Sequence, residues 1–289
     1  MTWNPVTGCL HGCEYCYARG IAHRFAGFEP RCGGEDVPET AKNYRKNSIW
    51  NNTYGELLHV FSRQPMKRPG AAQTFCKAPY PYDFEPTLHR YRLDEPVHKR
   101  KGCNIFVGSM ADIFGEWVPD EWIQAIFDAC DAAPQHRYMF LTKNWWRACK
   151  YRYKENWWIG QTITHDAPTG TNDKNLHLCY GIPKAVEPEW KDHSNTFISI
   201  EPIHSAIPDL PYYAHEYGYK WVIVGAESGN RKNKVIPDRK WIEKIIEDCA
   251  LRKIPLFMKD SLVPIIGEEN MLREFPEELR HIGIGDVNE

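Results

Sequence analysis

The chain has 289 residues, is 42% hydrophobic and carries a net charge of −2, which is enough for one large domain and argues against a generally basic nucleic-acid binder. No apolar run reaches the roughly 18 residues of a membrane span, and Met1 runs straight into Thr2-Trp3-Asn4-Pro5 without a leader pattern, so a cytoplasmic protein with no membrane partner is expected. The 10 cysteines then read as metal ligands and reduced thiols, not as a disulfide framework.

Residues 2–6 read as a first short strand. It delivers the stretch Thr7-Gly8-Cys9-Leu10-His11-Gly12-Cys13-Glu14-Tyr15-Cys16-Tyr17. Cys9, Cys13 and Cys16 stand here at C-x3-C-x2-C spacing. Treating cysteines as randomly placed, such a triplet has odds on the order of 1%. Thiolates are soft ligands, and a set this tight can wrap one metal centre. Three thiolates satisfy three irons of a 4Fe-4S cluster and leave the fourth open to a small molecule. Glycines at 8 and 12 let the backbone fold close around it, and Tyr15 can shield one face. A structural zinc site is the rival, with His11 or His23 as fourth ligand. That reading gives a zinc-stapled, non-catalytic (nucleic-acid) binding module. A third reading is an iron–sulfur electron carrier.

Residues 17–26 have helical spacing, which places a helix N-terminus toward the cysteine loop and His23 and Arg24 on its polar face. Residues 27–80 are irregular and read as an insertion or lid with some helix near 55–63, with Cys32 and Cys76 as free thiols. Tyr82–Pro86 reads as extended, and 88–101 as a basic turn or helix. Short apolar strands follow at 104–109, 138–142, 157–162, 197–202, 221–227 and 255–260. Pro119 and Asp120 open one helix, and residues 238–252 form another. The tail 261–289 is charged and helix-poor. Counting the two weak early segments gives about eight parallel strands with crossovers. The expected fold is therefore α/β: a (β/α)8 TIM-type barrel, or a partly open version, as a single domain over 1–289. Polar residues gather at the strands' carboxyl ends, where such barrels build their sites: Ser109, Asp112, Thr142, Lys143, Gln161, Glu201, Glu227 and Lys259.

The cysteine motif, with an aromatic before its last cysteine, resembles the signature of the radical S-adenosylmethionine (SAM) superfamily. Thr2-Trp3-Asn4-Pro5, Cys16-Tyr17-Ala18, the run from Ile105 to Phe114, Leu141-Thr142-Lys143, Ile200-Glu201-Pro202 and the run from Trp221 to Gly229 resemble an uncharacterised phage-associated family of radical-SAM-like proteins. The resemblance implies SAM on the open iron of a 4Fe-4S cluster held by Cys9, Cys13 and Cys16. It further implies reductive cleavage to a 5′-deoxyadenosyl radical that abstracts hydrogen from a substrate, with a flavodoxin- or ferredoxin-type electron donor as partner. The superfamily's Gly-Gly-Glu after the second strand has no counterpart here, and Gly225-Ala226-Glu227 follows a late strand. Glu201 is the rim carboxylate suited to the SAM ribose hydroxyls. Glu201 and Glu227 read equally well as salt bridges with a rim lysine. Tyr15, Ser109, Thr142 and Gln161 complete the candidate cofactor contacts; the last three can instead cap helices.

Lys143–Lys154 carries five basic and four aromatic side chains and no acid. It reads either as a nucleic-acid or nucleotide contact, with rings stacked on bases, or as a helix with core aromatics and a solvated basic face.

Overall fold

The computed structural model describes residues 1–25, 58–60, 65–67, 75–77, 79–80, 82–164, 195–208, 210 and 218–280. Seven parallel strands make the main sheet: β1 (Thr2–Trp3), β7 (Asn104–Val107), β8 (Arg137–Thr142), β9 (Trp157–Ile163), β10 (Asn195–Ile200), β11 (Trp221–Val224) and β12 (Leu256–Met258). They lie side by side in that order and curl into a half-barrel. A second sheet joins β2 (Val6–Thr7), β6 (Thr87–His89) and β3 (Leu58–Val60), and β4 (Pro65–Lys67) pairs with β5 (Phe75–Lys77). Apart from these three strands and residues 79–80, the expected insertion over 27–80 lies outside the described residues, Cys32 included. The helix expected near 55–63 is met by strand β3.

The (β/α)8 expectation is corrected. Its second strand, Tyr82–Pro86, is a turn: Asp83 has a φ of 57°, and the Asp83 and Glu85 amides donate back to the Tyr80 and Tyr82 carbonyls. The strand next to it, β6, pairs with β2 and β3 instead. Among the described residues β12 does not pair with β1. Its free edge is taken by the returning tail. The Met258 amide donates to the Leu272 carbonyl at 2.8 Å, and the Glu274 amide to the Leu256 carbonyl at 3.0 Å. The Phe257–Arg273 bridge is antiparallel. A strand edge capped this way has no backbone groups left to close a barrel.

Alternation along the strands sorts the core into two layers. Tyr138, Phe140, Trp157, Ile159, Ile198, Ile200, Val222 and Val224 face the helices. There they meet α2 (Asp120–Asp131), through Trp122, Ile123, Ile126, Phe127 and Cys130, and α4 (Arg239–Arg252), through Ile242, Ile245 and Cys249. Pro119 and two first-turn acids start α2. The Asp238 carboxylate caps α4 on the Lys240 amide at 2.9 Å. Between these helices, α3 is a single turn, Trp145–Ala148.

The opposite, concave layer holds Met139, Trp158, Phe197, Trp221 and Ile223. Gly160 leaves room there for Phe197, whose ring would lie 2.3 Å from an added Cβ. The tail covers the base of this face: Phe275 stacks 5.4 Å from Trp221, and the Leu279 side chain is buried against the layer. The tail is fixed at both ends of its path, by the Trp221 indole N–H to the Glu274 carbonyl at 3.0 Å and by the Asn104 amide to the Leu279 carbonyl at 2.9 Å. The tail expected to be helix-poor contains the short helices α5 (Val263–Ile266) and α6 (Glu277–Arg280). Among the described residues no helix is long and apolar enough to cross a membrane.

If the tail is a structural strap, Leu279→Ala should destabilise the chain by about 2–5 kcal/mol, the range for an emptied buried leucine site. Urea unfolding followed by tryptophan fluorescence would measure this, since the tail's Phe275 stacks on Trp221.

Candidate metal centre

Strand β1 and the chain after it fix the start of the cysteine loop. Trp3 is buried and donates its indole N–H to the Arg92 carbonyl at 2.7 Å. The Asn4 side-chain oxygen accepts from the Ser109 hydroxyl at 3.1 Å and the Met110 amide at 3.0 Å. Gly8 then has a φ of +90°, and an added Cβ would lie 2.2 Å from the Glu85 carbonyl, so only glycine passes this point. Its amide donates to the Met110 carbonyl at 2.9 Å. Gly12 also has positive φ.

Cys9, Cys13 and Cys16 are free and half-buried on this loop. Burial pushes the Cys9 thiol up to about 12, the backbone amide of His11 opposes that, and the negative charges of Asp112, Cys13 and Cys16 add to it. The amide of Arg19, in the first turn of α1 (Tyr17–Phe25), donates to the Cys16 sulfur at 3.4 Å. Among the described residues no three His, Cys, Asp or Glu side chains converge to hold a single ion. The donor set nevertheless fits a thiophilic centre: three sulfurs within electrostatic reach of one another, two of them already accepting backbone N–H groups.

Both histidines considered as zinc ligands are engaged elsewhere. His11 Nε2 donates to Asp112 Oδ2 at 2.8 Å, and His23 Nδ1 pairs with Asp83 at 2.6 Å. Asp112 sits just beyond β7 with its side chain 8% exposed. Its carboxylate also accepts from the Thr142 hydroxyl at 2.7 Å, the Lys143 amide at 2.8 Å and the Phe114 amide at 3.1 Å. Burial alone would raise its pKa, but these bonds, led by His11, hold it below the usual carboxylate value.

The loop's tip reaches across the rim. The Tyr15 hydroxyl accepts from Lys143 Nζ at 2.9 Å, and its ring meets His204 edge-on at 5.2 Å. Glu14 pairs with Arg231 at 3.1 Å. Arg231 grips Glu227 with two bonds of 2.7 and 2.9 Å. Of the expected site residues, Tyr15, Ser109, Glu201 and Glu227 lie at the rim. Glu201 accepts from Ser199 at 2.7 Å and pairs with Lys259 at 2.5 Å. The Tyr17 hydroxyl donates to the Ser109 carbonyl at 2.8 Å, and the Glu201 charge acts on that phenol. Thr142 and Gln161 are buried and committed internally, Thr142 to Asp112 and Gln161 to the Tyr219 hydroxyl at 2.9 Å. Arg231 and His204 were not singled out by the sequence, because nothing in their spacing ties them to the cysteines, and Glu14, inside the motif, carried no sign that its partner is Arg231. The rim reading of Asp112 carried the one usable signal, a carboxylate just past a buried strand.

Three of the four aromatics in the Lys143–Lys154 stretch pack in or against the core, and Trp146 is half-buried outside it. Trp145 is buried, Tyr151 and Tyr153 pack on Phe127 at 5.6 and 6.0 Å, and Arg147 is bound to the Gly115 and Val118 carbonyls and to Asp120. This is the helix-like core reading with a basic outer face.

The Glu227–Arg231 pair has a definite pH signature. Its hydrogen bonds to Arg231 are the largest influence on Glu227 and depress its pKa. A carboxylate depressed on folding contributes stability that is full above its unfolded value, near 4.3, and is lost as pH falls through the folded value. Arg231→Ala should therefore lower stability at pH 7, and the gap to the unaltered chain should shrink below about pH 4. Urea midpoints at the two pH values measure it; an equal gap at both would contradict the assignment.

No curated protein and no solved structure matches this chain. A family model described as "Protein of unknown function (DUF5131)" matches residues 59–263. The match takes in β6 to β12 and the rim residues Asp112, Thr142, Lys143, Glu201 and Glu227, and it begins after the cysteine loop. Covering more than half of the sequence, it shows that the chain belongs to the DUF5131 family.

Proposed function

We propose that this protein is a radical-SAM-like enzyme whose metal centre is held by Cys9, Cys13 and Cys16. One observation carries the reading: a three-thiol loop seated at the carboxyl-end rim of a curled parallel sheet. A 4Fe-4S cluster, when bound there, supplies the electron that cleaves SAM to methionine and a 5′-deoxyadenosyl radical, drawn from a flavodoxin- or ferredoxin-type donor.

The chain's own residues bind and shield. Cys9, Cys13 and Cys16 supply the sulfurs, and the His11 and Arg19 amides bond to two of them. Tyr15 is fixed beside the cysteines by Lys143 and His204. Glu201 and Lys259 present one anion and one cation at the tops of β10 and β12. Those charges suit the ribose diol and the amino-acid carboxylate of SAM respectively. Below them Phe106, Leu141 and Phe257 are only partly buried and give the concave face an apolar floor. The nucleic-acid substrate is not carried further, because three of the stretch's four rings, Trp145, Tyr151 and Tyr153, pack in or against the core.

The test is anaerobic. The purified chain is reconstituted with iron and sulfide, then given dithionite and SAM. The expected product is 5′-deoxyadenosine, and Cys13→Ala should lower its yield by more than about 100-fold, beyond the range for loss of an outer-shell partner. Tight zinc with no iron uptake would favour the zinc-stapled module, and a cluster that never cleaves SAM would favour the electron carrier.

A further inference from the structure

We infer that His11 and Asp112 are a positioning pair that latches the cysteine loop onto the ends of β7 and β8. The pair joins three segments distant in sequence. His11 belongs to the cysteine loop, Asp112 follows β7, and Thr142 ends β8 with Lys143 just after it. The four donors to Asp112 come from all three, at 2.7 to 3.1 Å. The imidazole is held on a second side by Trp117, whose ring meets it edge-on at 4.8 Å. The His11 backbone amide meanwhile donates to the Cys9 sulfur. One residue therefore ties the first cysteine through its main chain and the sheet through its side chain.

The latch needs no metal to form, because every bond in it is between protein groups. The cradle is then seated before the centre is built, unlike small zinc modules that fold only around their ion.

The test uses the full-length chain in two arms. The first is hydrogen–deuterium exchange of metal-free protein, read over residues 7–17. His11→Ala should speed exchange there by about 10-fold, as expected when a locally ordered segment loses one anchoring bond. His11→Gln, which keeps a side-chain N–H donor at similar reach, should exchange like the unaltered chain. The second arm rests on the proposed function: iron loss to a chelator after anaerobic reconstitution. His11→Ala should lose iron about 10-fold faster, the lower end of the outer-shell range, and His11→Gln should retain it. Unchanged exchange in His11→Ala would overturn the latch. Normal exchange in His11→Gln with iron lost as fast as in His11→Ala would tie iron retention to the imidazole itself and overturn the positioning role. If the unaltered chain takes up no iron, the function reading fails and the exchange arm still decides the latch. Asp112→Asn should reproduce the His11→Ala exchange pattern, and the His11 variants decide the matter should that buried change prevent folding.

Discussion

A buried carboxylate is costly unless its charge is matched, and Asp112 is matched on every side. It accepts from one imidazole, one hydroxyl and two backbone amides, supplied by the cysteine loop and by the turns after β7 and β8. Removing a donor would leave part of that charge unsatisfied in a site with little water, so the three segments are fixed relative to one another by one group. The remaining contacts at the rim follow from that registration. With the loop seated over β7 and β8, Tyr15 reaches Lys143 and His204, and Glu14 reaches Arg231.

A curled parallel sheet that does not close must deal with its edges and with its concave face. This chain uses its two ends for both tasks. The N-terminal loop lies over the carboxyl-end rim, and the C-terminal strap caps the β12 edge and covers the apolar base. Between them the face remains lined by partly buried Phe106, Leu141 and Phe257, topped by Glu201 and Lys259. The covering of the base explains why an aromatic layer as large as Trp158, Phe197 and Trp221 is tolerated there.

The six later strands of the main sheet and the helices α1, α2 and α4 were legible, because their apolar runs and helical spacing are long enough to be unambiguous. Strand count was not. Tyr82–Pro86 reads as extended by composition, but Asp83 takes a left-handed conformation and the segment turns. The tail's role was invisible, since Leu272–Glu274 pairs through backbone groups whose partners no side-chain pattern announces. At the rim, types were legible and directions were not. Gln161 and Thr142 stand at strand ends like Glu201, but alternation turns both to the helix side. The basic stretch failed in the same way: Tyr151 and Tyr153 can stack on bases or on Phe127, and only packing decides.

The electrostatics of the cysteine loop bear on what it can hold. Burial pushes the Cys9 thiol up to about 12, and the negative charges of Asp112, Cys13 and Cys16 add to it. Ionising all three at neutral pH without a compensating cation would stack like charges in a poorly solvated place. A cationic centre reverses that balance: it ionises the thiols and releases their protons on binding. The same negative neighbours that oppose ionisation of Cys9 would then stabilise a bound cation. In that sense Asp112 both seats the loop, through His11, and adds negative charge close to the first of its three sulfurs.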